Sequence, residues 1–97
     1  MDHRLKKIKR LILEGRVKFT LKAEMELDEC LERRDVYEAI LSADEIYKVL
    51  NSTNPHTGKK EKLYIIMGLT YDDVLIYTKG KIADNRLYIL ISSKRAL

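Results

Sequence analysis

The sequence predicts an α+β domain in which N-terminal helices pack on a curled, mainly antiparallel sheet of four to five strands. Helical periodicity fills the first half of the chain, whereas β-branched and aromatic runs begin at Ile46. These runs are joined by turns too short for a crossover helix, so consecutive strands are expected to be antiparallel. Helices followed by strands are typical of α+β folds. We expect residues 1–97 to form a single domain around one modest core.

The first helix is predicted from the segment HRLKKIKRLILEG. Leu5, Ile8 and Ile12 share one face of this helix, and Gly15 is suited to end it. In the following segment, RVKFT, apolar and charged residues alternate as they do in a short strand or an extended link.

Two further helices are predicted from capping residues. Thr20 is suited to cap the second helix. Asp35 and Glu38 fit a capping box at the start of a third, short helix in DVYEAIL. The apolar side of the second helix is expected to contain Leu21, Met25, Cys30 and Leu31.

The second half of the chain reads as an antiparallel meander of four strands. The strand-like runs are EIYKVL, EKLYIIMGL, VLIYTKGKI and LYILISSK. The turn segments between them are NSTNPHTG, TYDD and ADNR. On the last strand, two-residue alternation predicts that Tyr88, Leu90 and Lys94 share one face.

Composition excludes several classes of protein. The longest apolar runs have four to five residues, so no membrane span is expected, and the charged N-terminus lacks the apolar stretch of a signal peptide. A single cysteine, Cys30, excludes a disulfide framework and a cysteine zinc site. His3 and His56 are isolated histidines, so neither a metal nor another cofactor is expected. Together these features predict a cytoplasmic protein.

Charge is unevenly distributed along the chain. The net charge is +4, with +5 in residues 1–18, −6 in residues 19–45 and +5 in residues 46–97. A basic surface is typical of proteins that bind phosphate-rich ligands. The acidic segment is either a solvated helix surface or a contact for a basic partner, and we expect it to face away from any bound RNA.

Lysines and tyrosines within strands are the remaining candidates for chemistry. Lys48 interrupts IYKVL, Lys94 ends the last strand, and Tyr77 and Lys79 share one strand face by alternation. A lysine in an apolar strand must reach water or a partner, so these positions are expected to line an exposed surface. Lysines that protect a sheet edge, or that cover a solvated sheet face, would give the same pattern.

Such a surface could cleave RNA without histidine. Attack of the ribose 2′-OH on the adjacent phosphate needs a base, stabilisation of the phosphorane charge, and an acid for the leaving 5′-oxygen. A lysine whose pKa is lowered by neighbouring cations can be the base, and a second lysine can neutralise the developing charge. A tyrosine hydroxyl can hold the phosphate. A requirement for the 2′-OH would exclude DNA.

Four segments resemble, in order, motifs of the MqsR group of bacterial toxins, which belong to the RelE superfamily of mRNA endoribonucleases. VKFTLKA (Val17 to Ala23) resembles the T-[TR]-x-x-A entry into the second helix of that group. IYKVLNST (Ile46 to Thr53) resembles its F-Y-K-S-M-T strand, and IYTKGKI (Ile76 to Ile82) resembles its V-Y-L-K-I segment. LYILISSKRAL (Leu87 to Leu97) resembles its closing V-L-I-V-S-F-K-E-K.

The resemblance implies a RelE-like fold and a type II toxin that cleaves single-stranded mRNA, free or on the ribosome. It also implies a cognate antitoxin with a zinc-binding domain and a helix-turn-helix domain. The family's catalytic positions fall on Lys48, Tyr77 and Lys94, and we expect Lys60, Lys62 and Lys79 to add RNA affinity. The glutamine that the family places after F-Y-K is missing from GKKEKLYII, so its role is lost or taken by Lys60 or Lys62.

Two interpretations without RNA cleavage remain open. One is a toxin of the same fold that poisons a protein target such as a topoisomerase. The other is a module that binds RNA or a partner protein without chemistry.

Overall fold

The structure, a computed structural model, describes residues 2–27 and 31–96 and has the predicted α+β fold. Helices pack on one face of a five-stranded mixed sheet with the strand order β1-β5-β4-β3-β2. The helices are α1 (His3–Leu13), α2 (Leu21–Met25) and α3 (Arg33–Ser42). The strands are β1 (Val17–Phe19), β2 (Lys48–Thr53), β3 (Lys60–Leu69), β4 (Leu75–Ala83) and β5 (Leu87–Arg95).

The predicted antiparallel meander is confirmed. Strands β2, β3, β4 and β5 pair in chain order, and every one of these pairs is antiparallel. The short strand β1 pairs in parallel with β5, which makes the sheet mixed. Strand β2 starts at Lys48 and continues through Thr53, so it includes three residues that the sequence assigned to the following turn.

Helix α1 forms as its sequence predicts. Leu5, Ile8 and Ile12 are buried in the core. The backbone N–H of Arg4 donates a hydrogen bond of 2.7 Å to the side chain of Asp2, which caps the N-terminus. The helix ends before Gly15, whose φ of +75° lies in the left-handed region that glycine adopts without strain.

The second helix is shorter than predicted. Helix α2 ends at Met25, and both Leu21 and Met25 are exposed instead of forming a buried side. Ala23 is the residue of α2 that enters the core, because a helix of five residues turns little more than one side chain toward the sheet. Leu31 is buried as predicted, and Cys30 lies outside the described residues.

The predicted start of the third helix is wrong by three residues. Helix α3 begins at Arg33 with Glu32 as the N-cap residue, and the backbone N–H of Glu32 donates to Asp35 at 2.8 Å. Asp35 is therefore the third helical residue rather than the cap, and the capping box does not involve Glu38. Serine, threonine, asparagine and aspartate are the preferred N-caps, so a glutamate in this position carries no clear sequence signal.

The core lies between the three helices and one face of the sheet. The sheet contributes Tyr64, Ile66, Ile76, Tyr88 and Leu90 to this core. Helix α3 lies very close to β3, since a Cβ atom on Gly68 would be 1.9 Å from the backbone oxygen of Ala39. Within residues 2–27 and 31–96, no helix has the length and apolar character needed to cross a membrane.

We expect Gly68→Ala to lower the free energy of unfolding by about 2–3 kcal/mol, because the added methyl group forces α3 away from the sheet. Urea denaturation monitored by circular dichroism measures this change. Gly58→Ala is the control, since Gly58 has φ +72° and open space around it, and backbone strain there costs about 1 kcal/mol. Equal destabilisation by the two substitutions would contradict the close approach of α3.

Candidate functional site

One face of the sheet is covered by none of the helices in residues 2–27 and 31–96, and we call it the open face. Strand alternation and pairing place lysines and apolar side chains there, opposite to the residues that form the core. Its lysines are Lys18, Lys48, Lys79, Lys81 and Lys94, and its apolar and aromatic residues include Leu50, Leu63, Ile65, Met67, Leu69, Leu75, Tyr77, Leu87 and Ile89. It is therefore an apolar surface bordered by cations.

A β-bulge in β5 determines which residues of that strand reach the open face. Gly80 pairs with Leu90 and Lys79 pairs with Ser92, so Ile91 has no opposite residue on β4. The extra residue reverses the alternation of β5 beyond this point. The prediction that Lys94 shares a face with Leu90 is therefore wrong, because Leu90 is in the core and Lys94 is on the open face.

Tyr77, Lys79 and Lys94 form the closest group of sequence-predicted site residues. Tyr77 and Lys94 are directly paired across β4 and β5, and Lys94 Nζ is 5.7 Å from the centroid of the Tyr77 ring. Lys79 follows Tyr77 on the same face, roughly 7 Å along the strand. Two lysines and one tyrosine thus occupy neighbouring positions on one surface. We call these three residues the lysine–tyrosine cluster.

Lys48 is on the open face but stands apart from this cluster. Ile65 pairs with Lys48 on one side and with Lys79 on the other, so the two lysines are two strand spacings, roughly 10 Å, apart. Lys94 lies one strand further, at roughly 16 Å from Lys48. Ile65 is only 7% exposed although it lies outside the core cluster. The aliphatic stems of its two lysine neighbours account for its burial while their ammonium groups remain in water.

Lys60 and Lys62 lie on the other face of the sheet. They alternate with Glu61 and Leu63, and they share the face of Tyr64, which is in the core. Both lysines are exposed at the β2–β3 hairpin end of the sheet. They do not line the surface that holds the lysine–tyrosine cluster.

Lys81 is an open-face lysine that the sequence did not single out. Its Nζ forms a 3.0 Å salt bridge with Glu61, and the side-chain amide of Asn54 donates a 2.6 Å hydrogen bond to the same carboxylate. The bonds from Asn54 and then from Lys81 hold the pKa of Glu61 below its usual value. This pairing offsets the charge of Lys81. Lys81 is two residues after Lys79 on β4, so the two-residue alternation that places Tyr77 and Lys79 on one face also predicts Lys81 on that face.

The acidic segment lies mainly on the helix side, as expected. Its described helical members are on α2 and α3 or cap them, and of these Glu26 reaches β5 at Ser92, the residue paired with Lys79. Asp44 and Glu45 are different, since the loop after α3 places them in a groove beside Met67, Leu69 and Leu75. These two carboxylates border one end of the open face, so the acidic segment is not confined to the helix side.

Glu26 anchors the end of β5 that carries Lys94. Its Oε1 accepts hydrogen bonds from the Ser92 hydroxyl at 2.8 Å and from the Ser93 N–H at 3.2 Å, and Lys22 Nζ donates to its Oε2. Burial raises the pKa of Glu26, but the bonds from Ser92, Lys22 and Ser93 outweigh it, so the pKa is lowered. The Glu26 carboxylate thus bonds to the part of β5 that follows Leu90, where the pairing with β1 has ended.

The cluster is suited to bind a phosphate diester and to move protons with lysine and tyrosine alone. His3 lies in α1 and His56 in the β2–β3 turn, on separate elements. Among the residues that the structure describes, no group of three or more histidine, cysteine, aspartate or glutamate side chains could hold a metal ion.

No family model, curated protein or solved structure matches the chain, so the resemblance to the MqsR group stays a prediction.

We expect Glu26→Gln to lower the free energy of unfolding by about 1–2 kcal/mol near pH 7, because three hydrogen bonds to a carboxylate are lost or weakened. A lowered folded-state pKa means that the carboxylate stabilises the fold above the unfolded-state pKa of Glu26, and that this contribution disappears as the pH falls through the folded-state pKa. The difference between wild type and variant should therefore shrink in acid.

Chemical denaturation across acidic and neutral pH tests this expectation. Glu45→Gln is the control, since Glu45 is exposed and substitution there should change stability by no more than about 0.5 kcal/mol. A Glu26→Gln deficit that is the same at all pH values would mean that the ionised carboxylate does not anchor β5.

Proposed function

We propose that the protein is an endoribonuclease toxin of a type II toxin–antitoxin system, which cleaves single-stranded mRNA on the open face of its sheet without a metal ion. The observation that carries the proposal is the cross-strand pair of Tyr77 and Lys94, with Lys79 beside it, on a sheet face without helices. The resemblance to the MqsR group likewise implies catalytic roles for Tyr77 and Lys94.

Binding of single-stranded RNA fits the composition of this face. Lysine ammonium groups neutralise phosphates, and the apolar surface between them offers a platform for unpaired bases. Tyr77 is the aromatic residue of the platform, and Met67 is its direct neighbour on β3. Double-stranded nucleic acid hides its base faces and would leave this apolar surface unused.

Cleavage would follow from proton transfer within the cluster. A neutral amine removes the proton of the ribose 2′-OH, the 2′-oxygen bonds to the adjacent phosphorus, and the bond to the 5′-oxygen breaks as that oxygen takes a proton. The products are a 2′,3′-cyclic phosphate and a 5′-hydroxyl. Lys94 and Lys79 are close enough to share the roles of base and charge stabiliser, with Tyr77 holding the scissile phosphate.

Lys48 takes a different part in this proposal from the one the resemblance implies. It stands two strands away from Lys79, so it would contact a neighbouring phosphate along the strand of RNA rather than the scissile one. Lys60 and Lys62 would contribute only long-range attraction, because they lie on the opposite face. A cognate antitoxin remains the expected protein partner, and the cytoplasm the expected location.

RNA binding without cleavage is the second candidate function. In the part of the chain that the structure describes, the lysine–tyrosine cluster contains neither a histidine nor a carboxylate. Lysines with an apolar platform are sufficient for binding, whereas cleavage further requires a neutral amine at the site.

The deciding experiment is incubation of a defined single-stranded RNA with the purified chain in chelator, with and without ribosomes. We expect wild-type protein to release fragments ending in 2′,3′-cyclic phosphate, and Lys79→Gln/Lys94→Gln to be slower by about a hundredfold or more, as for the loss of a general base. Lys60→Gln/Lys62→Gln removes the same charge from the opposite face and should retain most of the rate. RNA that is bound but never cut would support the binding module instead.

The salt dependence of RNA binding separates the two faces independently of cleavage. Each phosphate contact to single-stranded nucleic acid contributes about −0.7 to the slope of log affinity against log salt concentration. We therefore expect Lys79→Gln/Lys94→Gln to reduce the magnitude of this slope by about 1.4, measured by fluorescence anisotropy with an uncleavable RNA analogue. The Lys60→Gln/Lys62→Gln control should change it little. An equal change in both variants would place the RNA elsewhere than the open face.

A further inference from the structure

The end of the open face nearest the β3–β4 turn has a different character from the lysine–tyrosine cluster. Leu69 and Leu75 are paired across β3 and β4, and they are 46% and 38% exposed. Beside them, the loop after α3 forms one wall of a groove of about 360 Å³ that also contains Met67. We call this feature the acidic groove, because Asp44 and Glu45 form its polar side.

Negative charge accumulates around this groove. Asp44 and Glu45 are exposed, and within residues 2–27 and 31–96 neither forms a salt bridge. The adjoining β3–β4 turn adds Asp72 and Asp73, both exposed. Asp73 lies beside Arg95 in a neighbouring pocket at Leu75, so the charge of the groove itself is that of Asp44 and Glu45, which repel phosphate from this part of the open face.

Exposed apolar surface is also concentrated here. Tyr71, in the same turn, is 85% exposed, and its backbone N–H is tied to the side chain of Glu38 on α3. An exposed aromatic residue in the turn that joins Leu69 to Leu75 is typical of a surface that contacts another protein. A metal ion is a poor candidate for this groove, because it would make no favourable contact with the leucines. The described residues also contain no group of three or more histidine, cysteine, aspartate or glutamate side chains that could bind one.

We infer that the acidic groove is a docking site for a basic segment of a partner protein, one that places an apolar side chain between Leu69 and Leu75. Lysine or arginine side chains flanking that apolar anchor would pair with Asp44 and Glu45 on one side and with the turn carboxylates on the other. The distance from the loop across β3 to β4 is about two strand spacings, roughly 10 Å, which an extended peptide covers in three to four residues. This inference is independent of RNA cleavage.

A labelled peptide of alternating lysine and leucine is a direct probe, with a peptide of alternating lysine and serine as its matched partner. We expect fluorescence anisotropy to show binding of the lysine–leucine peptide to the wild-type chain and weaker binding of the lysine–serine peptide. Asp44→Asn/Glu45→Gln should weaken binding of the first peptide by about tenfold, and Leu69→Ser/Leu75→Ser by at least as much. Both leucines are partly exposed, and circular dichroism checks that the variant is folded.

The control variant is Leu13→Ser/Glu14→Gln, which removes an exposed leucine and a carboxylate from the end of α1 and should leave peptide binding unchanged. Equal affinity of the control and groove variants would overturn the inference, as would equal binding of the two peptides. Self-association of the wild-type chain that Asp44→Asn/Glu45→Gln abolishes would also overturn it, since the groove would then hold a second copy. RNA affinity that does not fall in Asp44→Asn/Glu45→Gln, from which two phosphate-repelling charges are removed, keeps this test separate from that of the proposed function.

Discussion

The β-bulge at Ile91 is the constraint on which the open face depends. Before the bulge, β5 directs Leu90 into the core, and after it the same strand directs Lys94 to the opposite face. Thr20 holds the bulge in place, since its N–H donates to the Leu90 carbonyl at 2.9 Å and its hydroxyl donates to the Ile91 carbonyl at 3.3 Å. Without the extra residue, Lys94 would lie under α2 and Tyr77 would lack its cationic neighbour.

The lysines that make the open face a candidate RNA-binding surface also oppose its association with other chains in water. A sheet with one apolar face uncovered invites association with other chains, and lysines on such a face oppose it by mutual repulsion and by covering carbon with their stems. Ile65 illustrates this, since it is nearly buried between Lys48 and Lys79 without any helix above it. Protection of this apolar face from other chains and attraction of phosphate thus rest on one physical property, the positive charge of its lysines.

Most of the architecture could be predicted from the sequence because it follows from local signals. Turn lengths specified the meander, and the spacing of apolar residues specified α1 and the core face of α3. The start of α3 could not be predicted because its N-cap residue is Glu32, and glutamate is uncommon at that position. The end of α2 could not be predicted because apolar residues such as Leu21, which suggest a longer buried side, are exposed in the structure.

The candidate site was predictable only in part. The shared face of Tyr77 and Lys79 follows directly from alternation, whereas the position of Lys94 depends on a bulge that has no sequence signature here. The sequence also does not separate Lys60 and Lys62 from the face that carries the lysine–tyrosine cluster. Both faces of β3 carry apolar residues, as the run LYIIM shows, so alternation within that strand does not say which face is open. Pairing with β4 supplies that information, and pairing is a property of the folded chain.

The open face is divided by charge along one continuous surface. Met67, Tyr77 and Lys94 form one row of residues paired across β3, β4 and β5. The next row on the same face is Leu69 and Leu75, which line the groove that also contains the carboxylates of Asp44 and Glu45. If the two proposed ligands bind as inferred, the charges that attract phosphates to the first row repel basic side chains there, and the carboxylates beside the second row do the reverse. A protein segment in the acidic groove would nonetheless lie within one residue pair of Tyr77. Such a partner would therefore restrict access to the lysine–tyrosine cluster by direct steric contact, with no conformational change needed to link the two sites.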